Sequence, residues 1–120
     1  MAQPTDRELL ELAAQAFWGS EIDDVCSIRW LEEDQAIGYT HGDNQDHNGI
    51  DREFVWNPLT DDGDSRRLQV NLALGLVPIE DGGWACITWD HDDQVTLAAD
   101  LCPRRAVVRA AAAKVKGGAL

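Results

Sequence analysis

Turn-forming residues cut this chain into pieces, and the length of each piece decides what it can become. Three pieces are long enough for a helix and carry apolar residues at helical spacing: residues 5–17, 61–75 and 102–116. In the first, Leu9, Leu12, Ala13 and Ala16 share a face. Thr5 and Glu8 form a capping box, in which a hydroxyl and a carboxylate each serve an orphan N–H. Gly19 and Ser20 end it. In the second, Thr60 is positioned to cap, and Asp61, Asp62 and Asp64 put negative charge where the helix dipole favours it. Leu68, Val70, Leu72 and Leu74 spread over more than half its circumference, which predicts cover on two sides, with Gly75 as the stop. In the third, Pro103 suits the first turn, Val107, Val108, Ala111 and Val115 form the apolar stripe, and Arg105, Arg109 and Lys116 form another.

The intervening pieces are strand-sized. Cys26–Leu31 and Ala36–Thr40 alternate apolar and polar residues around a turn at Glu32-Glu33-Asp34. Phe54–Trp56 is a short extended piece, stopped by Asn57-Pro58 because a residue before proline avoids the helical region. Leu76–Ile79 and Trp84–Trp89 read as a hairpin about residues 80–83, and Val95–Leu97 adds a strand after a turn at 90–93. Pro78 lacks an N–H, which predicts an edge or a bulge there. The polar residues 41–53 read as one long loop. The order is helix, strands, helix, strands, helix. It predicts an α+β domain over residues 1–120, an α-β-α sandwich with a small, mostly antiparallel sheet covered by three helices.

Charge narrows the function classes. The formal net charge is −12, from 22 acids and ten bases. Residues 1–100 hold every acid and five bases, a net −17, whereas residues 101–120 carry +5. Lys and Arg supply non-specific affinity for nucleic acid, so a chain this acidic should repel DNA, RNA and anionic lipid. Cys26, Cys86 and Cys102 are odd in number and have no C-x-x-C spacing, which predicts reduced thiols. Met1–Leu12 contains no apolar signal core, and no stretch approaches the ~20 apolar residues of a membrane span. The expected location is the cytoplasm.

Residues 56–64 read Trp-Asn-Pro-Leu-Thr-Asp-Asp-Gly-Asp, followed by Arg67-Leu68 at the start of a helix. This run resembles the phage ABA sandwich domain, a family of small bacteriophage and prophage proteins. The closing Arg104-Arg105-Ala106-Val107-Val108-Arg109-Ala110-Ala111-Ala112 and the opening Thr5-Asp6-Arg7-Glu8-Leu9-Leu10 are similar to the family's ends. Residues 41–53 and 80–94 have no counterpart in it. The resemblance implies an α-β-α sandwich of phage origin, in a bacterial host's cytoplasm, with no assigned chemistry. It singles out Trp56, Asn57, Pro58, Asp61, Asp62, Asp64, Arg67, Arg105 and Arg109 as motif residues.

Several constellations could carry chemistry. Asp61, Asp62 and Asp64 form a tempting cation cluster, but acids on a first helical turn need no ion to explain them. Arg67, Arg105 and Arg109 offer a competing use, pairing with these aspartates to brace the second helix against the last. On that reading the losses of Asp64 and Arg109 are non-additive. Residues 44–55 match an EF-hand loop at Asn44, Asp46, Asn48 and Gly49, but Val55 stands where a bidentate Glu is required. His41, Asp43, Asp46, His47 and His91 lack the spacing of a zinc site. Ser20, Ser27 and Ser65 have no adjacent histidine, Cys102 precedes a helix start without one, and Asp81-Gly82-Gly83 lacks the Lys of a phosphate loop. Trp84 and Trp89 cannot both face one side of a regular strand, so one is a candidate exposed anchor. Together these features predict a non-enzymatic accessory protein without metal or cofactor. It would bind a host or phage protein with a basic surface, for instance as an acidic nucleic-acid mimic inhibiting a host defence or DNA-handling complex. The rival is a small metal-dependent hydrolase or nuclease built on the three aspartates and the loop histidines.

Overall fold

A computed structural model describes residues 4–19, 25–45 and 51–116, with side chains described at 4–19, 28–40 and 53–115. The elements run α1 (Asp6–Trp18), β1 (Val25–Leu31), β2 (Ala36–Gln45), β3 (Asp51–Trp56), α2 (Asp62–Asn71), β4 (Gly75–Pro78), β5 (Trp84–Asp90), β6 (Asp93–Asp100) and α3 (Pro103–Lys116). The class is α+β. The strands divide into two antiparallel sheets of three, ordered β1-β2-β3 and β4-β5-β6.

Each sheet has a helix laid on one face. In the first, Trp30 pairs with Ile37 and Ile37 with Trp56, while Ile28 pairs with Tyr39 and Tyr39 with Phe54. Period-two alternation therefore puts these six side chains on one face. The end of α1 lands there: Trp18 lies 5.1 Å from both Tyr39 and Trp56, and Phe17 stacks on Trp56 at 5.4 Å. In the second sheet, Leu76, Cys86 and Ala98 are in register and pack against the core. α3 covers that side and also packs on α1 and α2. Ala106, Val107, Val108, Ala110 and Ala111 are wholly buried, so α3 joins the two halves of the molecule.

The local stop and start signals act as anticipated in several places. Thr5 caps α1, its hydroxyl accepting from the Glu8 N–H at 3.1 Å, while the Glu8 carboxylate accepts from that hydroxyl at 3.2 Å rather than from a backbone N–H. Pro78 lies on the edge strand β4. Pro103 opens α3, and Cys102 accepts the first helical bond from Ala106.

Other expectations need correction. Residues 41–53 are not one loop: β2 runs to Gln45 and β3 starts at Asp51, paired directly with it. Ladder bonds belong to the backbone, so polar side chains do not prevent pairing. Residues 46–50 lie outside the described residues. α2 is capped by Asp61, not Thr60, and ends at Asn71 rather than at Gly75. Its close is a Schellman turn, with Leu74 N–H bonded to Gln69 C=O at 2.9 Å and Ala73 at φ 54°. Leu72 and Leu74 therefore leave the helix, and Val70 is 65% exposed, so cover is one-sided. Gly75 opens β4, where a Cβ would stand 3.0 Å from Ile87 Cγ1.

Ala73 occupies a position where glycine is the usual choice, because an L side chain there costs about 1–2 kcal/mol. Ala73→Gly is expected to raise stability by about 0.5–1 kcal/mol after its extra unfolded-state entropy is counted, read as a higher urea midpoint at unchanged slope.

Candidate functional site

Residues 56–64 turn the chain from the first sheet into α2, and nearly every polar group in the turn is used. The Asn57 N–H donates to the Asp64 carboxylate at 2.9 Å. The Asn57 amide holds both sides of the bend: its Oδ1 accepts from Leu59 N–H at 3.0 Å, and its Nδ2 donates to Gln35 C=O at 3.1 Å. Its carbonyl accepts from Asp61 N–H at 2.9 Å. Pro58, fully buried, has no N–H to satisfy. Asp61 then caps α2 by accepting from Asp64 N–H at 2.8 Å. Gly63 leaves room for this, since a Cβ there would stand 3.1 Å from Asp61 Oδ2.

Trp56, 2% exposed, anchors the segment among Phe17 and Trp18. Its Nε1 is the only buried side-chain nitrogen or oxygen without a hydrogen-bond partner among the described residues. Nearby, burial chiefly, aided by the Asp64 carboxylate and opposed by Arg67, lifts the Tyr39 phenol above its ordinary pKa.

The three aspartates do not converge. Asp61 serves the helix cap, Asp62 pairs with Arg104 at 2.8 Å, and Asp64 takes Asn57 N–H and Arg67. No group of three or more His, Cys, Asp or Glu is arranged to hold a metal ion among the described residues. The side chains of His41, Asp43, Asn44, Asp46, His47 and Asn48 lie outside the described residues. His91 is 95% exposed at the β5–β6 turn, 3.8 Å from Asp90.

The expected pairing of Arg105 and Arg109 with these aspartates is corrected by the geometry. Arg105 reaches Asp6 of α1 at 2.8 Å and lies 3.7 Å from Asp100. Arg109 donates to Ala99 C=O at 2.7 Å and to Asp100 at 3.3 Å. The residue that ties α3 to the start of α2 is Arg104, whose Nε also donates to Leu59 C=O at 3.0 Å. Sequence reasoning missed it because consecutive helical residues diverge by about 100°, and three arginines near one helix start do not reveal which direction α2 lies. Cation-rich first turns oppose the helix dipole, so Asp6, Asp62 and Asp100 have an electrostatic reason to gather there.

Nucleophiles are poorly placed. Cys86 is buried against α3, and burial pushes its thiol up to about 11, slightly opposed by Lys114. Cys102 is half-buried, its N–H donating to Asp100. Hollows beside Trp30 and beside Leu97 measure about 160 and 180 Å³, and neither is lined by Ser, Cys or His. Both are smaller than a usual ligand pocket of about 300–1,000 Å³, and a third, at Phe17 and Val70, is about 380 Å³ but open to solvent rather than enclosed. Of the two tryptophans in question, Trp84 packs on the core and Trp89 is 59% exposed.

No family model, curated protein or solved structure matches the chain.

Asp64→Ala is expected to lower stability by about 1–2 kcal/mol, because it removes the partner of the half-buried Asn57 N–H. Asp64 and Arg109 share no partner, so their effects should add within about 0.5 kcal/mol in denaturant titrations of the double mutant. Native Cys86 at pH 8 should alkylate roughly a hundredfold more slowly than a thiol with the ordinary value near 9, as its thiolate is about a hundredfold scarcer. Mass-mapped labelling before and after unfolding measures this.

Proposed function

We propose that the chain is a non-enzymatic accessory protein of a bacteriophage or prophage, acting in the host cytoplasm by binding a protein with a basic surface. Inhibition of a host defence or DNA-handling complex by an acidic nucleic-acid mimic is the concrete form of this reading. The phage origin rests on the resemblance of residues 56–64 and the two ends to phage ABA sandwich domains. The mode of action rests on one observation about charge.

Among the arginines whose side chains are described, all but one are consumed internally. Arg7 pairs with Glu11 and lies over Trp30, Arg29 pairs with Glu53, and Arg67, Arg104, Arg105 and Arg109 pair as described above. Only Arg66 lacks an ion pair among the arginines whose side chains are described. The surplus carboxylates face water. Glu33, Asp34, Glu80, Asp81, Asp92 and Asp93 are exposed and make no ion pair among the described residues. They cluster at three hairpin turns: β1–β2, β4–β5 and β5–β6. The last two lie at opposite ends of β5, about 20 Å apart at 3.3 Å per residue. Negative charge spread along a surface attracts a basic groove and speeds encounter with it. It does not resemble a cation cleft, which gathers carboxylates within one coordination sphere. No helix among the described residues is long and apolar enough to cross a membrane.

Immobilised protein incubated with host lysate is expected to retain a basic protein that duplex DNA displaces and about 0.5 M salt releases, since screening shortens to a few ångströms there. Glu80→Lys/Asp81→Lys or Asp92→Lys/Asp93→Lys should weaken that retention. Retention of nothing at low salt, or retention indifferent to charge reversal and to DNA, would overturn the reading.

A further inference from the structure

Arg66, which makes no ion pair among the described residues, lines a hollow between α1 and α2. The hollow measures about 380 Å³ and is lined by Phe17, Arg66, Arg67, Val70 and Asn71. It is the largest of the hollows considered above. Its apolar part is the Phe17 ring and the exposed Val70, and its rim carries the Arg66 guanidinium beside the Asp64-bonded Arg67. A basic partner would be repelled there. What fits is an apolar knob flanked by carboxylates.

The chain itself presents such a knob. β5 and β6 run past the rest of their sheet, because β4 pairs only as far as Ile87. Beyond it, Trp89 to Thr96 is an exposed two-stranded tip. Trp89 is 59% exposed, and Asp90, Asp92 and Asp93 follow it in the turn. The hollow is a wide shelf open to solvent rather than an enclosed cavity, so an indole can lie across the Phe17 and Val70 side chains without having to fit a closed volume. An arginine also gains from lying over an indole face.

We infer that the β5–β6 tip of one copy docks onto the Phe17–Val70 hollow of a second copy, with Trp89 as the knob and Arg66 meeting its aspartates. The two surfaces are different, so the contact is heterologous: each copy offers one tip and one hollow. It is also small, in the class that buries less than about 1,200 Å² and binds weakly. Each copy carries −12, and general repulsion opposes the contact; at 0.15 M salt that repulsion is confined to about 8 Å. The inference does not rest on the partner reading above, and the test below uses the purified chain alone.

Sedimentation velocity at 0.15 M salt, over a rising concentration series, should show the wild-type sedimentation coefficient increasing with concentration. Trp89→Ala removes the knob and Arg66→Glu spoils the hollow. Both residues are exposed, so both variants should keep the wild-type circular dichroism. Each variant alone should remain monomeric. Their equimolar mixture should form a dimer and nothing larger, because only the Arg66→Glu tip and the Trp89→Ala hollow remain intact. A wild type that stays monomeric throughout, single variants that associate like the wild type, or a mixture that fails to dimerise would each overturn the contact.

Discussion

Everything else in this molecule is arranged around the burial of α3. Its middle turns, Ala106 to Ala112 apart from Arg109, lose nearly all contact with water while α3 touches α1, α2, β5 and β6. Small side chains make this possible: Ala110, Ala111 and Ala112 let neighbouring backbones approach, while Val107 and Val108 fill the volume between. Close packing of this kind tolerates little change in volume, so α3 fixes the distance between the two halves as well as covering them. The start of the same helix is held by charge. Arg104, Arg105 and Arg109 draw in Asp62 from α2, Asp6 from α1 and Asp100 from the end of β6. These pairs are partly exposed, and individually such contacts contribute little. Their importance is directional, since three elements meet one helix start in a single arrangement.

The Trp56–Asp64 segment solves a different problem, the passage from a sheet into a helix without stranding buried polar groups. Asn57 satisfies the bend, Pro58 removes one donor from it, Asp61 caps the helix, and Asp64 reaches back to Asn57. Each residue type in the run therefore has a structural use. The cost is a single unpaired indole N–H on Trp56, in a cluster where aromatic packing outweighs it.

These two arrangements decide what the surface looks like. Arginines that might have neutralised the exterior are held at α3 and α2, so the acids left over define the charge that a partner would meet. They sit on hairpin turns because turns favour Asp and Gly, and because nothing there competes for them. The same economy leaves Arg66 without a carboxylate among the described residues, beside an apolar hollow on an otherwise acidic molecule.

Much of the architecture was legible in the residues, because helix starts and hairpins are written in short-range chemistry. Thr5 with Glu8, Pro103, Pro78 and the Glu80–Gly83 turn act over a few residues, and their meaning does not depend on distant neighbours. The reading failed where the deciding contact was remote or lay in the backbone. Gln45 and Asp51 are polar, yet they pair, because ladder bonds ignore side-chain polarity. α2 stops early because Ala73 accepts a left-handed conformation so that Leu74 can reach the core. The partner of Asp64 is the Asn57 backbone as much as an arginine, and Arg104 replaces Arg105 and Arg109 as the tie to α2. By itself the sequence determined the α+β class, the order of elements and the acid excess, since periodicity, caps and charge are local or additive properties. Only the tertiary structure decided the split into two sheets, the partner of each arginine and which tryptophan faces water, since those depend on which surfaces meet when α3 is enclosed.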